Sequence, residues 1–558
     1  MRTTQSLHGS LWPVVLVSLI TALMSSWGPC IPFAPVAHAV AAAPATLPPA
    51  GNPPANRLPS QLPLSLYQSV LLALHNSLDI RVERLNPLIR EEEVRKEAGV
   101  FFSPRLNFDI GADRAQKPTG TVLAGAEVLE TQNVDLNTGV SMRSITGGVV
   151  SLDLRNKRFE SNSAFQTFDP QYTADLALTL THPFLKNFGI GVNVTRLKIA
   201  QNSAEMSKHQ LKSVVTNLIS DVQQTYWDLL MARNDLAARR RSVEVTQYLH
   251  KRTEEMVATG RLPAIAILQA KATVLEREID LGAAENALED AQVRLKSLLN
   301  LHTVMEPARF TIVPIDAPVF QMQMVSAEEG LKRALTNRPE IFQARLDQEN
   351  RLLGVNLAKN QRLPEVNFVG SVGLSGLSGS PTSFPFADLT IGGIPIGTFS
   401  PGEQNSFEGG FGDALSKLFS GNFVSYKVGI TVQIPLGNQS SRSELARARL
   451  EAEKARGFLQ SVEQKIALEI DRAARAVNSS AKAIEGVKSL RELAERKLQM
   501  AQDGLELGVS SVTEVLEAEK NLTLVQRDEV KVFLDYQKKL ILWEKVTGET
   551  LERFQIIL

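Results

Sequence analysis

Apart from Cys30 the chain has no cysteine, which excludes an intramolecular disulfide and confines any thiolate chemistry to one position near the N-terminus. Its seven histidines are scattered, and neither an H-E-x-x-H pair nor a G-x-x-x-x-G-K-[ST] phosphate loop occurs. His182, beside Pro183, reads as a junction residue rather than a ligand. No catalytic constellation is present, so the expectation is a protein that is not an enzyme and needs no metal or other cofactor. Neither sign of charge predominates, with 60 basic and 60 acidic residues, and no overall field draws the chain to nucleic acid or an anionic surface. Beyond the N-terminal segment there is no apolar run of about 18 residues, so strands are the only remaining way to cross a membrane.

What the N-terminus does contain reads as an export signal. Arg2 precedes the apolar run WPVVLVSLITALM, and Ala37-His38-Ala39 forms an A-x-A cleavage pattern. Cleavage after Ala39 makes residues 1–39 the signal peptide. Cys30 offers lipid attachment as the competing reading, against which stands Pro29 where such a site wants a small residue. Residues 40–63, rich in Ala and Pro, form an extended tether.

The rest of the chain is written twice, and four landmarks recur in order. LALHNSLDI (72–80) matches RALTNRPEI (333–341), and PRLNF (104–108) matches PEVNF (364–368). YTADLALTLTHPFL (172–185) matches YKVGITVQIPL (426–436), and GRLPAIAILQA (260–270) matches GVSSVTEVLEA (508–518). The separation shrinks slowly, from 261 residues (72 to 333) to 248 (260 to 508). Each repeat therefore reads helix, strand, long loop, strand, very long helix, turn, helix. The repeats span 64–300 and 326–548, with a connector at 301–325 and a tail at 549–558.

In the second repeat, residues 442–507 place Leu445, Ala448, Ala452, Ala455, Leu459, Val462 and Ile466 at alternating steps of three and four. That is the seam of a coiled coil. About 65 residues at 1.5 Å each extend roughly 100 Å, far beyond an ordinary globular helix. The partner helix is expected over 513–546. Gly508 marks the turn between them, as Gly260 does in the first repeat, where Pro263 is placed to start the next helix. The many alanines in the seam let helix axes approach closely.

Four segments alternate with a period of two. Leu106, Phe108 and Ile110 oppose Arg105, Asn107 and Asp109, and Leu176, Leu178 and Leu180 oppose Asp175, Thr179 and Thr181. Val366, Phe368, Val372 and Leu374 oppose Asn367 and Ser371, and Tyr426, Val428, Ile430, Val432 and Ile434 oppose Lys427, Gly429, Thr431 and Gln433. Each strand thus has one apolar and one polar side. The apolar side faces either a second sheet, as in a soluble periplasmic coiled-coil scaffold, or lipid across about 9–11 residues. The strands are separated by loops of a length usual on the outer side of membrane barrels, and part of the first, 147–154, extends a strand or adds one. Four strands cannot close alone, because open edges in lipid leave backbone groups unpaired at several kcal/mol each. Three chains would pool twelve strands around a lumen lined by such residues as Thr431, Gln433, Asp175 and Thr179.

With the duplication, the strand-to-helix junctions at Pro183 and Pro435 and the two Gly-x(7)-Leu-x-Ala turns, the chain resembles the TolC family of outer-membrane efflux and secretion channels. The resemblance runs from about Leu64 to Gly548. It implies a mixed α and β membrane protein, a homotrimer in which four strands per chain form a twelve-stranded β-barrel above a coiled-coil α-helical periplasmic tunnel. An equatorial collar would include 310–323 and the tail. The implied function is an exit duct of a tripartite efflux or type I secretion system, passing small molecules or proteins through the outer membrane with a periplasmic adaptor and an inner-membrane pump. In that family acids just after the second turn ring the periplasmic aperture, which here implies Glu514 and Glu517, one helical turn apart. The bland reading of those two acids is that they suit the dipole of the helix they begin. The tip turns dock the adaptor, implying Gly260, Arg261, Leu262, Gly508, Val509 and Ser510. Where family members with a defined lock carry an acid, a Tyr and an Arg, this chain has Ala266, Leu505 and Ser510. An apolar contact of Leu505 with Leu262 would then stand in for the latch.

Overall fold

The computed structural model describes residues 61–556 apart from 121–125, 164–165, 261–262, 302–309, 317–321, 383–389, 392–393, 396–403 and 507–511. In chain order the principal elements begin with β1 (Gln61–Leu64), α1 (Leu66–Asn76), α2 (Leu78–Glu83) and α3 (Leu85–Phe102). Strands β2 (Arg105–Pro118), β3 (Val128–Arg143), β4 (Val149–Ser161) and β5 (Phe168–Pro183) follow, then α4 (Thr195–Ala258), α5 (Ile265–Leu298) and β6 (Thr311–Pro314). The second repeat supplies α6 (Ala327–Asn337), α7 (Pro339–Gln361), β7 (Glu365–Pro381), α8 (Phe411–Phe419), β8 (Val424–Gln433), α9 (Gln439–Glu506) and α10 (Val512–Thr547). Two units result, each drawing on both repeats. Gly99–Asn193 and Leu363–Leu436 make a β unit, and Leu58–Ala98, Val194–Arg362 and Gly437–Leu558 a helical one.

The β unit is built on a six-stranded antiparallel sheet in the order β8-β7-β5-β4-β3-β2, beside which Thr390–Ile391 and Ile394–Pro395 pair as a separate small hairpin. All four segments marked by alternation are strands, and two more, β3 and β4, are inserted between the first and the second of them. The reading of 147–154 as an added strand is met by β4. Across the sheet the register aligns like with like. Leu106, Val140, Leu152, Leu178, Val372 and Tyr426 form one row, and the next row on the other face runs Asn107, Gly139, Asp153, Ala177, Gly373 and Ser425. In the rows toward the helices one face is therefore apolar across all six strands and the other polar, as period-two pairing requires.

The apolar face is largely bare. Leu106 is 70% exposed and Tyr426 84%. Among the described residues no second sheet covers it, so the sandwich required by the soluble-scaffold reading is not formed there. Among the described residues α8 lies on it, burying Ala414 and Leu418 against Ala174, with Leu154, Tyr172, Leu176 and Leu374 around them. Gly376 permits this approach, since a Cβ there would overlap the Ala414 carbonyl oxygen. The edges are β2 and β8, and neither has a strand on its outer side among the described residues.

In the helical unit α4 and α9 run for 64 and 68 residues, about 100 Å each. Neither is apolar enough to cross a membrane, nor is any other helix of the described residues. α1 starts at a capping box in which Ser65 Oγ accepts from Gln68 N–H and Gln68 Oε1 accepts from Ser65 N–H, both at 3.1 Å. The expected seam of α9 is buried at Leu445, Ala455 and Ile466 and half-buried at Ala448, Ala452, Leu459 and Val462. Leu445, with Ala448 and Ala452 beside it, packs on Val355 and Ala358 of α7. Farther on, Ile466, Ile470, Ala473, Ala474, Val477, Ala481 and Ile484 meet Phe533, Tyr536 and Trp543 of α10. A parallel core joins Val215, Ile219, Val222, Tyr226 and Leu229 of α4 to Val70, Leu295, Ile312 and Leu534. Each large aliphatic side chain buried there contributes about 1.5–3 kcal/mol. Ile470→Ala is expected to cost about 2–5 kcal/mol. A fall in the midpoint of the helical circular-dichroism melt would register the loss, and an unchanged midpoint would remove Ile470 from the core.

Candidate functional site

The residues singled out by sequence sit at the turns that end the two long hairpins. In the first, α4 closes with Thr259 Oγ1 donating to the Glu255 carbonyl at 3.1 Å. Gly260 follows at φ +72°, a conformation that favours glycine, with its N–H donating to the Val257 carbonyl at 3.0 Å. α5 then starts beyond Pro263, whose carbonyl accepts from Ala266 N–H at 2.9 Å. Gly260 is exposed, while Arg261 and Leu262 lie outside the described residues.

In the second hairpin, α9 ends at Glu506 and α10 begins at Val512. Gly508, Val509 and Ser510 lie outside the described residues, and Leu505 is placed only as a position on α9. Glu514 and Glu517 stand in the first turns of α10 with their side chains exposed. Ala518, the last residue of the Gly-x(7)-Leu-x-Ala motif, is 2% exposed. The alanine therefore packs inward, and the two carboxylates one turn apart are left facing outward, where the partial positive charge of the helix start also favours them.

Cross-hairpin polar contacts fix the distance between the two helices. Arg239 Nη1 of α4 lies 2.5 Å from Asp280 Oδ2 of α5, and Arg277 approaches the same carboxylate at 3.3 Å. In the second hairpin Arg491 of α9 reaches Glu529 of α10 at 3.0 Å and Glu495 of its own helix at 2.9 Å. Glu529 is a buried carboxylate, so the Arg491 guanidinium supplies the charge that makes its burial tolerable.

Sequence reasoning missed a further set of residues. Each described connector segment between the repeats is clamped by one tyrosine and one side-chain amide. Gln292 Nε2 donates to the Ile312 carbonyl at 2.7 Å, and Ile312 N–H donates to Gln292 Oε1 at 2.9 Å. Tyr226 Oη lies 3.0 Å from both the Leu64 carbonyl and Asp316 Oδ2. On the second side Asn478 makes the same pair of hydrogen bonds with Val325, each at 3.0 Å, and Tyr536 Oη accepts from Gln323 N–H at 2.9 Å. The available signal was an isolated polar or phenolic side chain within an apolar helix stripe, a position that asks for a buried partner.

Comparison with known proteins decides the family. The model of the outer membrane efflux protein family matches residues 71–301 and 330–549, most of the chain. The chain belongs to the outer membrane efflux protein family. No curated protein matches it. Among solved structures, the outer-membrane channel OprN is 15% identical with a TM-score of 0.59, over 87% of this chain and 90% of that one. VceC of Vibrio cholerae is 15% identical at a TM-score of 0.57, over 87% of this chain and 96% of its own. The open state of the Neisseria gonorrhoeae channel MtrE is 16% identical at 0.55, over 87% and 89%. At such identities the likeness is one of fold, and the fold is the mixed α and β architecture of these channels. This efflux protein is thus a channel component of the outer membrane. The soluble-scaffold reading is set aside by the same finding. The family is one of channels, not of enzymes.

Burial pushes the Tyr226 phenol of this efflux protein up to about 12, from an ordinary value of 10.0, with Asp316 beside it. A folded-state value above the unfolded one gives stability that is full below about pH 10 and lost as pH rises through 12. The amount is at most about 2–3 kcal/mol. Tyr226→Phe is expected to cost about 1–2 kcal/mol at neutral pH through the lost hydrogen bonds. It should also flatten the alkaline fall in stability, read from melting midpoints between pH 9 and 12. An alkaline slope the same as that of the parent would contradict the assignment.

Proposed function

We propose that three copies of this efflux protein pool their sheets into one barrel in the outer membrane, and that their helical hairpins continue into the periplasm as a tunnel. The duct is passive and works with a periplasmic adaptor and an inner-membrane pump, which supplies the energy. The observation that carries the reading is the bare apolar face of a sheet with two open edges. Hydrocarbon suits that face, but open edges in hydrocarbon would leave backbone groups unpaired, so further copies must supply the missing strands. The edge strands β2 and β8 run in opposite directions, so β2 of one copy can pair antiparallel with β8 of the next. The duct passes small molecules or, by a type I route, proteins.

At the inner end, the reading assigns Glu514 and Glu517 to the aperture. Threefold symmetry would gather six carboxylates around one axis, concentrating cations there and repelling anions. Leu505, where a lock-forming tyrosine would stand, contributes an apolar contact with Leu262 in the closed state. Gly260, Arg261 and Leu262, with Gly508, Val509 and Ser510, form the surface offered to the adaptor. Opening is a shift between two packings of the same helices. The alanine-rich seam favours it, because small side chains interlock less than large ones. In planar bilayers Glu514→Gln/Glu517→Gln is expected to lower the cation-to-anion permeability ratio severalfold. A ratio and conductance equal to the parent's would remove both residues from the aperture.

A further inference from the structure

The hairpin β3–β4 interrupts the duplication: between β7 and β8 the described strands are a two-residue hairpin, Thr390–Ile391 with Ile394–Pro395, which does not join the six-stranded sheet. It is not an appendage. Its two strands pair along their length with each other, with β2 and with β5, lying within the sheet rather than at its rim. The register also sets its height. Arg105, the first residue of β2, stands opposite Ser141, Arg143 opposite Val149, and Val149 opposite Thr181, near the end of β5. The turn of the hairpin therefore lies level with the ends of β2 and β5 that lead to the helices.

That turn is built into its place. Gly147 adopts φ +102°, and a Cβ on it would overlap the Asn187 carbonyl oxygen. The Thr146 carbonyl accepts from Gly189 N–H at 3.1 Å, and Thr146 Oγ1 lies 3.1 Å from His182 Nε2. The histidine read from sequence as a junction residue thus anchors the added hairpin at the junction.

The two added strands carry the same two-faced pattern as the other four. Val134, Leu136, Val140 and Met142 of β3, with Val150, Leu152 and Leu154 of β4, continue the apolar face, which beyond Leu154 gives way on β4 to Asn156, Arg158 and Glu160. Asn133, Asp135 and Asn137, with Asp153, Arg155 and Lys157, continue the polar one. On the polar face the register sets Asp135 opposite Lys157 and Arg155 opposite Asp175, so charges of opposite sign meet across both seams of β4. A hairpin lying in water beyond the bilayer would need no apolar face aligned with that of its neighbours.

We propose that β3 and β4 are staves of the barrel wall, so that three copies enclose eighteen strands and an outlet lined by Asp135, Asp153, Arg155 and Lys157. Six strands per copy alternate in direction and close evenly, since β2 and β8 remain antiparallel edges. Barrel diameter grows roughly linearly with strand number, so the outlet is about one and a half times as wide as four strands per copy would make it. Barrels of 16–18 strands hold an aqueous channel. The outlet therefore does not select cargo by size, and selection falls to the periplasmic end. Both signs of charge on its wall suit polar and zwitterionic solutes equally.

The inference rests on the channel reading, and one experiment separates the two. Nitroxides are attached singly to cysteines introduced at positions 134–142 and 150–158, in a Cys30→Ala background, with positions 176–179 of β5 as reference. The full chain is reconstituted in phosphatidylcholine vesicles, and each label is tested for collision with oxygen, which enters hydrocarbon, and with a nickel chelate, which stays in water. Oligomers that resist dissociation in dodecyl sulfate show that each variant has assembled. The expected result is that both accessibilities alternate with a period of two residues in opposite phase on β3, β4 and β5 alike, with oxygen favoured at positions 136, 140, 152 and 178. Alternation on β5 with water access on both faces of β3 and β4 would overturn the added staves and leave the channel standing. Absence of alternation on β5 as well would overturn the channel reading itself.

Discussion

A sheet with one apolar face and two free edges cannot rest in hydrocarbon as a single chain, and everything else about this protein follows from how that is resolved. An unpaired backbone amide or carbonyl in lipid costs several kcal/mol, so a row of them along β2 and another along β8 outweighs the gain from burying the apolar face. Pairing with further copies removes both rows at once. In the proposed assembly oligomer and barrel are a single event, and the protomer's sheet would be stable in a membrane only as part of it.

The helical unit answers a different problem, how to build long, thin hairpins without a thick core. Alanine at Ala473, Ala474 and Ala481 lets helices approach closely, while Ile470, Phe533 and Tyr536 supply the bulk that fixes register. Where the repeats are joined, backbone that belongs to no helix must still have its hydrogen bonds satisfied. Gln292 and Asn478 do this with paired hydrogen bonds from their side-chain amides, and Tyr226 and Tyr536 with hydroxyls from neighbouring helices. Two-fold repetition of the sequence thus reappears as two equivalent clamps built from different residues.

Much of this was legible beforehand, and for physical reasons. The seam from Leu445 to Ile466 was readable because a long helix repeats its apolar contact many times. The four strands were readable because Leu, Val, Phe and Ile alternate in them with polar residues, with breaks only at Ala177 and at Val369-Gly370. β3 escaped notice because its apolar face is diluted by Glu130, Gln132 and Thr138, and a barrel strand carries little signal by itself. α8 was hidden within a loop rich in Gly, Ser and Phe, and its partners on β5 and β7 are distant in sequence. Of the candidate aperture, the exposure of Glu514 and Glu517 and the burial of Ala518 accord with the helix period read from the motif. The clamps could not be assigned from sequence, since a lone glutamine or tyrosine does not name the carbonyl it will meet.

The most direct test of the central constraint is sedimentation of the mature chain with and without detergent. The account predicts a single trimeric species bearing bound detergent, which aggregates when the detergent is withdrawn. A monodisperse, folded monomer in plain buffer would contradict it, because the apolar face and both edges of the sheet would then be shown to need neither lipid nor another copy.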